Sequence, residues 1–179
     1  MTDAELLARI RQGDEQAFDA LFRQYYGPLV GWSESLLKVR AHAEDVVQDV
    51  MLEVWRRREA LEIDESWRSY LFRATRNRSL NELRRARVIR EAEPLVRGEE
   101  SVGATGPANL VAEEVQAAFA RTMAALPEPV REVFAMSRRD GLRYAEIAAV
   151  LGISVKTVEA RMGRALRELR EGLAPWLPS

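Results

Sequence analysis

Residues 144–161 read Tyr144-Ala145-Glu146-Ile147-Ala148-Ala149-Val150-Leu151-Gly152-Ile153-Ser154-Val155-Lys156-Thr157-Val158-Glu159-Ala160-Arg161. Two helices joined by a tight turn are predicted. Ile147, Ala148 and Leu151 share one helical face. Gly152 follows at once and can take the left-handed backbone that ends a helix sharply. Ser154 is a suitable N-cap for the next helix. Val158, Met162, Leu166 and Leu169 then recur at spacings of three and four, which predicts one apolar face. The opposite face carries Lys156, Thr157, Glu159, Ala160, Arg161 and Arg164. This is the layout of a helix-turn-helix whose second helix offers polar side chains to the major groove. An ordinary helical hairpin is the simpler alternative.

Working outward, 179 residues suffice for one ordinary domain or two small ones, and 47% hydrophobic content allows a real core. The chain has no cysteine, which excludes disulfides and thiolate metal sites. His42 is the single histidine and is expected at the surface. No basic segment leads into an apolar run at the N-terminus, so no signal peptide is expected. No run of about 18 apolar residues is present, so no membrane insertion is expected. The expected compartment is the cytoplasm. No cofactor and no small-molecule substrate are implied, and no paired polar constellation suits catalysis.

A net charge of −1 by itself argues against a nucleic-acid partner. The distribution reverses that argument. Residues 68–90 hold eight arginines against Glu82 alone, whereas residues 1–67 hold 14 acidic and 8 basic side chains. Local fields therefore matter more than the total. Arginine is also the cation best suited to phosphate forks and base stacking.

The pattern is helical almost throughout, and no alternating apolar run predicts a strand. Thr2-Asp3-Ala4-Glu5 is a capping box ahead of Leu6, Leu7 and Ile10. Gly13-Asp14 ends that helix and caps a second one carrying Ala17, Phe18, Leu21, Phe22 and Tyr25. Gly27-Pro28 is expected to bend or interrupt it. A third helix is predicted from about Ala43 to Arg58, with Val46, Val47, Val50, Met51, Val54 and Trp55 as its buried stripe. A fourth runs from about Ser66 to Ile89, with Tyr70, Leu71, Ala74, Leu80 and Leu83 inside. Residues 91–109 combine prolines, glycines and glutamates and read as a flexible acidic linker. Helices resume near Leu110. The expected architecture is all-α, with two small helical domains at 1–90 and 110–179, the second containing the helix-turn-helix.

Three blocks carry a resemblance to a known family: Ala43 through Trp55, Tyr70 through Asn77 on to Leu83-Arg84-Arg85, and Leu126-Pro127-Glu128 through Arg170. Their order and spacing make the chain similar to bacterial sigma factors of the extracytoplasmic-function type, over nearly its whole length. The resemblance implies a first domain that binds core RNA polymerase and the minus-ten element, and a second that binds the minus-thirty-five element of promoter DNA. It also implies an anti-sigma factor as a partner. The third helix is then the polymerase-docking helix, presenting Asp45, Gln48, Asp49, Leu52 and Glu53. A solvated acidic face is the plain alternative, and Leu52 is what breaks it.

The fourth helix and the loop before it are then the minus-ten side, with Trp67, Arg68, Arg73, Arg76, Asn77, Arg84 and Arg85 as candidates. Arginines supply salt-dependent phosphate attraction, and aromatics stack on unpaired bases. Tyr70 and Phe72 have core spacing, so Trp67 is the expected stacking residue. Asn77 is placed to hydrogen-bond a base edge or the backbone. The minus-thirty-five candidates are Lys156, Thr157, Glu159, Ala160, Arg161 and Arg164. Here the chain departs from the family, with Glu159 where many members carry a basic residue and Gly163 where a large one is common. Glu159 can accept from cytosine's amino group or pair with a neighbouring Arg. Two other classes stay open: a decoy that only binds an anti-sigma factor, and a helix-turn-helix regulator that works without polymerase.

Overall fold

The computed structural model describes residues 2–64, 66–92 and 110–177, and all regular structure among them is helical. The helices are α1 (Asp3–Arg11), α2 (Glu15–Leu37), α3 (Arg40–Arg56), α4 (Trp67–Ala92), α5 (Leu110–Ala125), α6 (Glu128–Arg138), α7 (Tyr144–Leu151) and α8 (Val155–Gly172). They form two compact units. The first holds α1–α4, and the second holds α5, α6, α8 and most of α7. Of the expected acidic linker, residues 91–109, Glu91 and Ala92 belong to α4 and residues 93–109 lie outside the described residues. No helix among the described residues is long and apolar enough to cross a membrane.

Local capping chemistry sets the helix starts. The Thr2 hydroxyl accepts from the Glu5 amide at 3.2 Å, and the Glu5 carboxylate accepts from the Thr2 amide at 2.7 Å. Asp14 caps α2 by accepting from Gln16 and Ala17. Arg9 and these amides hold the Asp14 carboxyl below its usual range. The predicted interruption at Gly27-Pro28 does not occur, because α2 runs unbroken through Pro28. Proline removes one bond, to the carbonyl of Gln24, but Gln24, Gly27 and Pro28 all face solvent, where water can satisfy it. The other side of the helix buries Leu21, Tyr25, Leu29 and Trp32. Burying four large apolar side chains at about 1.5–3 kcal/mol each outweighs a proline cost of about 3 kcal/mol.

In the first unit α2 packs against both α3 and α4. The predicted stripe of α3 is buried at Val46, Val47, Val50, Met51 and Val54. Trp55 is only partly covered and carries the Arg58 guanidinium over its ring at 4.6 Å. Helix α3 starts at Arg40, earlier than expected, and residues 58–60 form a separate 3-10 turn. Leu83 is 38% exposed, contrary to the expectation that it lies inside. From Asn81 to Ile89 every residue of α4 except Glu82 is exposed, so its second half has left the core.

In the second unit, Leu126, Val130 and Ala165 form a core cluster with Met123 and Phe134 against it. The buried stripe of α8 is Val158, Met162, Ala165 and Leu169, and Leu166 is exposed. Gly152 has φ +65°, as its place after α7 requires. Gly172 lies where α8 passes α5, and a Cβ there would collide with Thr122, whose hydroxyl donates to the Ala118 carbonyl at 2.9 Å. Gly172→Ala is therefore expected to cost about 1–3 kcal/mol through overpacking. Adding Thr122→Ala should recover most of it. Urea midpoints of the single and double variants check this, and equal losses in both would mean the collision is not the cause.

Candidate nucleic-acid and polymerase interfaces

The first turn of α4 is set by Ser66, whose hydroxyl accepts from the Ser69 amide at 3.2 Å. It docks on the start of α1. The Trp67 amide donates to Asp3 Oδ2 at 3.0 Å, and its indole Nε1 donates to the Asp3 carbonyl at 3.3 Å. Trp67 is 0% exposed. Its ring has no free face, so the expected stacking role does not fit this fold. Tyr70 meets the Trp67 ring edge-on, with centroids 6.2 Å apart, and is only half-buried. Burial holds its hydroxyl above the usual phenol value.

Tyr70 opens onto a cleft of about 230 Å³ between α3 and α4, lined also by Glu53, Ala74, Asn77, Arg78 and Asn81. Residues 70, 74, 77, 78 and 81 follow helical spacing, so one face of α4 presents an aromatic, two amides and a cation together. Tyr70 and Asn81 were not among the sequence candidates. Asn81, four residues after Asn77, could have been found from that spacing, and Tyr70 was set aside on its core spacing.

The remaining α4 candidates lie along the same helix. Arg68, Arg73 and Arg76 are partly covered, and Asn77, Arg84 and Arg85 are exposed. Arg84 donates to Asn81 Oδ1 at 3.2 Å, and Arg85 pairs with Glu82 at 3.1 Å. Both are local, solvent-exposed contacts that a phosphate can displace at small cost.

On α3, Asp45, Gln48, Asp49 and Leu52 are exposed at spacings of three and four, so they share one face. Leu52 is 49% exposed in the middle of this polar surface. Glu53 lies beside the face rather than on it, partly covered and paired with Arg57 at 2.5 Å. Asp49 reaches across to α4 and pairs with Arg78 at 2.6 Å.

The turn before α8 is held by Ser154, which accepts from the Thr157 amide at 3.1 Å. Its hydroxyl also meets that of Thr157 at 2.8 Å, so Thr157 is occupied in the cap. Buried Glu146 accepts from the Arg143 amide at 2.8 Å and fixes the start of α7. Lys156, Glu159, Ala160 and Arg164 are exposed, and Arg161 is half-buried. Arg164 pairs with Glu168 at 3.6 Å. Among the described residues Glu159 and Arg161 have no ion-pair partner, so the neighbouring-Arg alternative for Glu159 is not realised.

A helix-turn-helix over α7 and α8, and in the first unit an arginine-lined α4 beside α3 with its exposed acidic face, make an all-helical protein with distinct polar surfaces. The pattern of Sigma-70 region 2 matches residues 21–88, and that of Sigma-70, region 4 matches residues 116–169. The chain is 33% identical to RNA polymerase sigma factor CnrH of Cupriavidus metallidurans, over 93% of this chain and 92% of that protein. It is 29% identical to the ECF RNA polymerase sigma-E factor of Escherichia coli strain K12, over 98% of this chain and 96% of that one. The solved structure of CnrH in complex with the cytosolic domain of CnrY has a TM-score of 0.67 at 28% identity, covering 98% of this chain and 99% of that chain. The sigma factor RpoE of Bartonella quintana, solved with the anti-sigma factor NepR, shares the fold with a TM-score of 0.64 at 22% identity, over 88% and 96% of the two chains. The chain belongs to the sigma-70 family and is a sigma factor of the extracytoplasmic-function type.

Proposed function

We propose that this chain joins core RNA polymerase, places it on promoter DNA and stabilises the melted strand, performing no bond chemistry itself. Residues 1–90 serve polymerase and the minus-ten element, and residues 110–179 serve the minus-thirty-five element. The observation that carries this reading is the pairing of two surfaces in the first unit: the exposed Asp45, Gln48, Asp49 and Leu52 face of α3, and the Tyr70, Asn77 and Asn81 cleft with the arginines of α4. One suits a basic partner helix with an apolar contact. The other suits an unpaired base held by stacking, amide hydrogen bonds and phosphate contacts. Binding energy from these contacts offsets unpairing, a few kcal/mol per unstacked step. Work with core polymerase places the protein in the cytoplasm. An anti-sigma factor is a further proposed partner; RpoE of Bartonella quintana, which shares the fold, is seen with the anti-sigma factor NepR.

The test is in-vitro transcription with core polymerase on a promoter library. Leu52→Asp is expected to lower affinity for core about tenfold, the equivalent of about 1.4 kcal/mol, while leaving the fold intact because the side chain is half outside already. Arg84→Ala with Arg85→Ala should weaken DNA binding across sequences and reduce its salt slope by about two. Transcription that never responds to the chain would favour a decoy, and duplex binding indifferent to polymerase would favour a stand-alone regulator.

A further inference from the structure

Arg78 stands at the meeting point of the two surfaces. Its guanidinium Nη2 lies 2.6 Å from Asp49 Oδ2, an ion pair that ties α4 to α3. The cation lines the Tyr70 cleft, one residue from Asn77. The carboxylate belongs to the exposed face that carries Asp45, Gln48 and Leu52. Both side chains remain about half exposed, at 43% and 51%, so the pair can open without disturbing the core.

We propose that Asp49 holds Arg78 away from DNA in the free protein, and that docking of the α3 face on polymerase releases it. The idea rests on the docking and DNA faces proposed above. A basic partner helix seated on α3 competes for the same carboxylate oxygens. Arg78 then has its fork free beside the cleft, where a phosphate is the best remaining acceptor. The coupling is reciprocal by thermodynamic necessity: whatever docking adds to DNA affinity, DNA adds to docking. Its size is bounded by what an exposed pair is worth, a factor of about two to five.

The experiment measures binding of a labelled single-stranded oligodeoxynucleotide of mixed sequence to the full chain at low salt, without polymerase. Asp49→Asn is expected to tighten binding about two- to fivefold and to steepen the salt slope by about one. Asp45→Asn removes the same charge from the same face without losing an ion pair to α4, and should give less than half that gain. In the Asp49→Asn background, Arg78→Ala should erase the gain. With core polymerase present, Arg78→Ala in the parent should weaken binding by the same factor. Equal gains from Asp45→Asn and Asp49→Asn, or a gain that persists without Arg78, would show bulk charge alone and overturn the latch. No gain from Asp49→Asn would overturn it too. The Arg84→Ala, Arg85→Ala variant separates the two readings. If that variant loses affinity while Asp49→Asn does nothing, the DNA face stands and the latch falls. If it binds as the parent does, the DNA face itself is misplaced.

Discussion

Trp67→Ala is expected to destabilise the first unit by about 3–5 kcal/mol, the range for truncating a fully buried tryptophan. The indole is 0% exposed and its Nε1 is hydrogen-bonded to the Asp3 carbonyl, so truncation opens a cavity and strands an acceptor at the α1–α4 junction. A domain of this size holds only about 5–15 kcal/mol in total. The variant should therefore show a sharply lowered urea midpoint and lose polymerase and DNA binding together. Tyr70→Ala is the contrasting variant. Tyr70 is half-buried, so the fold should survive, and core binding should be close to that of the parent. Strand opening should fall, since one base stacked on an aromatic contributes about 1–3 kcal/mol. Permanganate reactivity of unpaired thymines is the measurement. If Trp67→Ala is as stable as the parent and fails only in opening, the indole leaves the core to meet DNA, and the assignment to Tyr70 is wrong.

Arg161→Ala in α8 is expected to cost about 1–3 kcal/mol of DNA affinity and to relax preference at one base pair. Arg161 is half-buried, so its stem is supported while no ion pair among the described residues claims its guanidinium. That leaves a five-donor fork for a guanine edge. Arg164 is held loosely by Glu168 at 3.6 Å, and Thr157 is tied into the Ser154 cap. Lys156 lies in the first turn of α8, where phosphate contact fits. Lys156→Ala should weaken all sites alike. A binding selection on random duplexes with the full chain distinguishes these outcomes. If Arg161→Ala lowers affinity but leaves the selected motif unchanged, Arg161 is a phosphate clamp and another residue reads the sequence.

What could be read correctly from sequence shares one property: each feature depends on residues within a turn of one another. The Thr2–Glu5 box, the Asp14 and Ser154 caps and the left-handed Gly152 all close bonds over two to five positions. The valine stripe of α3 is legible for a similar reason, because five apolar residues at helical spacing leave one face to bury. The acidic face opposite it follows by subtraction. The two-part organisation follows from the composition of residues 91–109.

Tertiary structure decided whatever had two local solutions. Val158, Met162 and Leu169 are compatible with either Ala165 or Leu166 as the fourth inward residue, and packing against Leu126 and Val130 selects the small one. Trp67 could open a loop outward or close it inward, and the Asp3 carboxylate and carbonyl, 64 residues away, turn it inward. Pro28 breaks an isolated helix but not one whose opposite side is buried by α3 and α4. The Asp49–Arg78 pair joins residues 29 apart that no spacing rule relates. Local hydrogen bonds and periodicity are properties of a short segment. The choice between two acceptable faces depends on free energies of burial that exist only once a second helix is in place.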